Sequence, residues 1–104
     1  MKIDDAAARL EALGNPTRLR IYRMLVRAGG AGSSVGKLQS RLDLAASTLS
    51  HHLKVMREAG ITHTRVVGTT RLVSLRATEL EKRFPGVIGS VLAAYDEPAQ
   101  PVAA

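Results

Sequence analysis

The chain has 104 residues, 45% of them hydrophobic, enough for one domain with a modest core and too little for a deep, enclosed catalytic cleft. Zero cysteines exclude disulfides, thiolate metal sites, iron–sulfur clusters and a cysteine nucleophile, and three scattered aromatics are too few for a base-stacking platform. The formal charge of +6 is concentrated: residues 15–76 carry eleven Lys/Arg against Asp43 and Glu58, a balance of +9, while both arms are slightly acidic. Such a block attracts a polyanion.

In chain order, residues 4–13 place Ile3, Ala6, Ala7, Leu10 and Leu13 at helical spacing, and Gly14 ends that helix. Asn15-Pro16 is a helix start, with Asn as cap and Pro at the first helical position. The second helix is expected over Pro16 to about Ala28, burying Leu19, Tyr22, Leu25 and Val26, with Arg20, Arg23 and Arg27 on another side, either as a solvated face or as added contacts to a polyanion backbone. Gly29-Gly30-Ala31-Gly32 reads as a flexible loop. Ser33 or Ser34 then caps a short helix to Leu42, with Val35, Leu38 and Leu42 inward.

After the brief turn Asp43-Leu44-Ala45, a fourth helix runs Ala46 to Ala59, apolar at Leu49, Leu53 and Met56 and stopped by Gly60. Two short helices separated by so few residues, the second polar at its start and apolar behind, form a helix-turn-helix signature. The period then becomes extended: Ile61–Val67 and Thr70–Arg76 form a hairpin about Gly68-Thr69. A last helical stretch, 78–95, must kink or split at Pro85-Gly86. Residues 1–96 are expected to form the domain and 97–104 a frayed tail. No apolar run of about 18 residues is available to span a membrane, and the acidic opening Met1-Lys2-Ile3-Asp4-Asp5 is unlike a secretory signal, so a cytoplasmic setting is expected.

Three stretches together resemble the ArsR (arsenic-repressor) family of winged-helix transcription regulators. They are Leu13-Gly14-Asn15-Pro16-Thr17-Arg18-Leu19-Arg20-Ile21, the helix Ala46-Ser47-Thr48-Leu49-Ser50-His51-His52-Leu53-Lys54-Val55-Met56-Arg57-Glu58-Ala59-Gly60-Ile61, and the wing around Gly68. The resemblance covers residues 10–76. It implies a mainly α fold with a two-stranded β-wing. It further implies a homodimer joined by helices 3–13 and 78–95, binding double-stranded DNA at an operator and usually repressing nearby genes. A two-fold dimer makes that operator palindromic.

Candidate DNA-binding residues follow from how this motif docks. Ser47 and Thr48 open the fourth helix, where hydroxyls and backbone N–H groups reach phosphates or base edges; plain capping is the competing role for Ser47. Ser50, His51 and Lys54 lie on its outer side, His51 suited to a base acceptor and Lys54 to a phosphate. Arg65 and Arg71 flank the wing turn, and Gln39 on the third helix is a further phosphate candidate. Thr69 stands where the family's wing often has Arg. His52 and Arg18 read as structural.

Many family members sense metals through cysteine pairs or His/carboxylate sets. The third helix here reads Ser34-Val35-Gly36-Lys37-Leu38-Gln39 and the last helix holds no histidine, so neither a metal site nor another cofactor is expected. Without cysteine, thiol-based sensing is excluded. An effector of unknown chemistry, a protein partner, or no effector remain open. No nucleophile–base set stands at catalytic spacing, so an enzyme is not expected. The rival is a winged-helix interaction module whose basic face binds an acidic protein; the small polar residues opening the fourth helix argue against it, since protein anchors are typically aromatic or apolar.

Overall fold

The computed structural model describes residues 2–76 and 82–94, and within them five helices and a small antiparallel sheet follow in the order α1 (Ile3–Leu13), α2 (Pro16–Ala28), β1 (Ser33–Ser34), α3 (Val35–Leu42), α4 (Ala46–Glu58), β2 (Thr62–Val67), β3 (Thr70–Leu75) and α5 (Val87–Ala93). A 3-10 turn, Gly29–Ala31, joins α2 to β1. The fold is mainly α, a winged helix-turn-helix.

Local chemistry explains most boundaries. Asn15 caps α2 by accepting from the Arg18 N–H at 3.1 Å, with Pro16 just inside. Ser34, not Ser33, caps α3, its hydroxyl accepting from the Lys37 N–H at 3.1 Å. The turn between α3 and α4 manages without glycine because Asp43 itself takes a left-handed conformation (φ 52°), tolerated by Asp better than by most residues. Gly60, at φ 77°, ends α4, and its N–H donates to the Arg57 carbonyl.

α2 is the central helix: five consecutive residues, Ile21 to Leu25, are buried. Two expectations are corrected there. Val26 is 52% exposed and Met24 takes the inward place, while Arg23 is buried instead of lying on a solvated face. Around α2 the core gathers Ala12 and Leu13 of α1, Leu38 of α3, Leu49, Leu53 and Met56 of α4, then Ile61, Val73 and Ile88.

The sheet order is β1-β3-β2. The expected hairpin is extended by a third strand of two residues, with Ser33 opposite Val73 and Ser34 opposite Leu72. Gly32 makes that approach feasible. At φ 76° and ψ −174° it takes a backbone that suits only glycine, and a Cβ there would stand 2.5 Å from the Val73 carbonyl oxygen. The last helical stretch is split: residues 82–83 are helical, the chain turns at Pro85-Gly86, and α5 starts after Gly86 in a left-handed conformation. Residues 78–81 of that stretch, together with Tyr95 and the expected tail, lie outside the described residues.

Candidate nucleic-acid interface

α4 is anchored by Leu49, Leu53 and Met56, which follow at i, i+4 and i+7 and are all buried. A rotation of 100° per residue then carries Ser47, His51, Lys54 and Glu58 to the opposite edge, with Thr48 and Ser50 on its flanks. Ser47, Thr48, Ser50, His51 and Lys54 are exposed, so the structure brings these five candidates together on one solvent-facing surface. Ala45 is the N-cap and makes no side-chain capping bond. Ser47 lies one residue inside the helix, so its hydroxyl does not fill that role, and the N–H groups of the first turn have no side-chain cap.

Lys54 pairs with Glu58 at 4.0 Å, both largely exposed. Such an i, i+4 pair is worth about 0.3–0.5 kcal/mol and yields readily to a phosphate.

His52 faces inward from the same helix. Its Nδ1 lies 3.1 Å from Arg18 Nη1. A guanidinium can only donate, so Nδ1 accepts and the ring proton sits on Nε2. Burial, then the Arg18 charge and then His51, push the His52 pKa below its ordinary value, which keeps the imidazole neutral. Arg18 also donates through Nε to the Ala12 carbonyl. One side chain thus ties the end of α1 to the middle of α4, and both residues act structurally. On α4's outer side His51 borders a groove of about 350 Å³ against α1, with Arg18, Glu11 and Glu58 among its walls.

The wing is less uniform than its sequence suggested. Register pairs Arg65 with Leu72 and Val66 with Arg71, so alternation sends Arg65 and Arg71 to opposite faces of the hairpin. Arg65 reaches back to the Ala31 carbonyl at 3.3 Å. Arg71 instead shares a groove of about 420 Å³ with Gln39, Ser34, Gly36, Thr69 and Thr70, between α3 and the wing. The hydroxyls of Ser34, Thr69 and Thr70 in that groove were not among the DNA-contact candidates read from sequence; no local spacing links residues so far apart in the chain. Further down the hairpin, His63 Nε2 and the Ser74 hydroxyl form a cross-strand bond at 2.8 Å. Among the described residues no group of three or more His, Cys, Asp or Glu is placed to hold a metal ion, and no helix is long and apolar enough to cross a membrane.

The profile of a helix-turn-helix domain family matches residues 13–65, from the end of α1 into the wing. HlyU of Vibrio cholerae, a transcriptional activator, is 40% identical over 76 residues, spanning 73% of this chain and 68% of that protein. A structure of HlyU superposes with a TM-score of 0.74 at 34% identity, covering 90% of this chain and 95% of the other. The transcriptional repressor BigR from Xylella fastidiosa superposes with a TM-score of 0.71 at 25% identity, covering 91% and 90%. The homodimeric winged helix-turn-helix DNA-binding domain of Mb0332 from Mycobacterium bovis shares the fold, with a TM-score of 0.74 at 21% identity over 91% and 84% of the two chains. With its anchored helix, exposed polar edge and wing, this chain therefore belongs to the ArsR-type winged helix-turn-helix transcriptional regulators, a DNA-binding family and not an enzyme family.

Proposed function

We propose that two copies of the chain pair through α1 and the C-terminal helical region, and that the dimer represses transcription from a palindromic operator in the cytoplasm. The observation that carries the reading is the exposed edge of α4: Ser47, Thr48, Ser50, His51 and Lys54, on a helix fixed from behind by three buried side chains. That edge enters the major groove, His51 donating to a base acceptor and Lys54 neutralising a phosphate. Arg71 and Gln39 hold the sugar–phosphate strand passing between α3 and the wing. Arg65 spends one donor on Ala31 and offers its remaining donors to a phosphate on the hairpin's other face.

Pairing is supported by where the apolar surface lies. Ile3 (84% exposed) and Leu10 (53%) on α1, with Val87 and Val91 on α5, are four of the seven large hydrophobic side chains left exposed among the described residues. A second copy would cover them and generate the two-fold axis a palindrome requires. The homodimeric state of Mb0332 and the repressor role of BigR favour the same reading.

A binding titration on the DNA upstream of the gene, repeated at several salt concentrations and joined to footprinting, tests it. The expected result is a steep negative log–log salt slope, about 10³-fold or greater preference over unrelated duplex, and two protected half-sites ~34–36 Å apart. Protection of one isolated half-site would overturn the dimer, and equal affinity for random duplex would overturn the operator. A promoter fusion reads the sign; a rise in transcription on binding, as the activator HlyU would give, overturns repression.

A further inference from the structure

Three of the hollows on the described surface differ in chemistry. The groove between α1 and α4 includes Glu11 and Glu58, and its Arg18 is committed to Ala12 and His52. The groove beside the wing has Arg71 as its one lining cation and belongs to the DNA-facing surface already described. The third lies between the end of α2 and the flank of α3. It is about 250 Å³ and is lined by Met24, Arg27, Ala28, Ser33, Lys37 and Arg41.

No carboxylate lines this third hollow, and three cations converge on it from two helices. Among the described residues the side chains of Arg27, Lys37 and Arg41 have no hydrogen bond or ion pair. Lys37 and Arg41 stand at i and i+4 on α3, where like charges repel. Arg27 adds a third positive charge from the last turn of α2. The floor is firm, since Met24 and Ser33 are both buried, so the cations project from a fixed frame. An arrangement that raises the folded state's electrostatic energy, with no counter-charge of its own, is relieved by a bound anion.

We propose that this hollow is a phosphate-binding site, distinct from the recognition surface of α4. Two guanidinium groups give planar, bidentate donors matched to phosphate oxygens, and Lys37 adds a point charge. The volume lies below the ~300–1,000 Å³ of pockets that enclose whole drug-sized ligands, which suits a single phosphoryl group with the rest of its carrier outside. Helical rotation separates this flank from the other: Gly36 and Gln39 look toward the wing, whereas Lys37 and Arg41 look toward α2. The phosphoryl group can belong to a free phosphorylated small molecule or to the backbone of DNA running past the half-site.

The test compares wild type with Arg27→Gln/Arg41→Gln and with Lys37→Gln, all at exposed positions. In the first arm, without DNA, the melting temperature is followed against inorganic pyrophosphate with ionic strength held constant by chloride. A free-ligand site predicts a saturable rise in wild type that both variants lose. In the second arm, duplex affinity is measured against salt, and a backbone-phosphate site predicts a slope shallower by about one in the double variant. Either result supports a phosphate site and identifies its source. Unchanged slopes together with no pyrophosphate-specific stabilisation overturn it. If the double variant does not fold, Lys37→Gln decides on the same readouts. Wild type that binds pyrophosphate but no operator would sink the operator reading and leave this one standing.

Discussion

Replacing Gly32 by alanine separates two costs that Gly29 allows one to calibrate. Both glycines have positive φ and near-extended ψ, 66° and −156° at Gly29 against 76° and −174° at Gly32, a region open essentially to glycine alone. An alanine at either site carries strain of order 1–3 kcal/mol, offset by ~0.4–1 kcal/mol from the stiffer unfolded chain. At Gly29 nothing lies within 4 Å of the added Cβ, whereas at Gly32 the Val73 carbonyl oxygen would stand 2.5 Å away. That oxygen belongs to β3, so relief requires β1 to move off the sheet, adding about 1–3 kcal/mol of the kind seen on overpacking. Gly29→Ala should therefore cost ~0–2.5 kcal/mol and Gly32→Ala roughly 1–3 kcal/mol more. The second difference corresponds to about 4–8 °C per kcal/mol in a domain of this size. Thermal and urea unfolding at one protein concentration would read it, since pairing makes stability concentration-dependent. Equal destabilisation by the two variants, within ~0.5 kcal/mol, would refute the close strand approach as the reason for glycine at position 32.

Lys54→Ala should leave stability nearly unchanged, because its exposed pair with Glu58 contributes little, yet weaken binding to all DNA and lower the salt slope by about one. His51→Ala should chiefly blur preference among sequences; equal losses on operator and random duplex for both variants contradict that division. The lowered His52 pKa means the folded state resists a proton that the unfolded state accepts. Stability is then fully retained above the unfolded value of 6.5 and declines as pH falls through it toward the folded value. His52→Asn, which keeps an acceptor for Arg18, should flatten that acid limb in melts between pH 7 and 5, and an unchanged limb would exclude His52 as its source. Leu10→Glu, at an exposed site on α1, should leave the fold intact and shift sedimentation from dimer to monomer; an unshifted dimer would place the pairing surface elsewhere.

Much of the exposed polar edge of α4, and of the elements around it, was legible in the sequence because its signals are local. A cap followed by Pro, a 3.6-residue apolar stripe along Leu49, Leu53 and Met56, and a hairpin with Gly at its turn act over a few residues. Once the buried stripe is known, helical rotation alone assigns Ser47, His51 and Lys54 to the far edge. α2 was harder to orient. Apolar residues occupy 19, 21, 22, 24, 25 and 26, so the stripe is nearly continuous and the pattern does not choose between Met24 and Val26.

What tertiary structure alone decided are contacts between distant segments. Two serines become a strand only because β3 offers them a partner edge. Arg65 turns away from Arg71 because strand register, not proximity to the turn, sets its face. Arg18 meets His52 across 34 residues, and Arg27, Lys37 and Arg41 line one basic hollow only because the fold brings the end of α2 near the flank of α3. Backbone propensity and apolar period are properties of a few neighbouring residues, so the sequence carries them openly. Convergence of side chains from separate elements depends on how the whole core closes, and only the closed core reveals it.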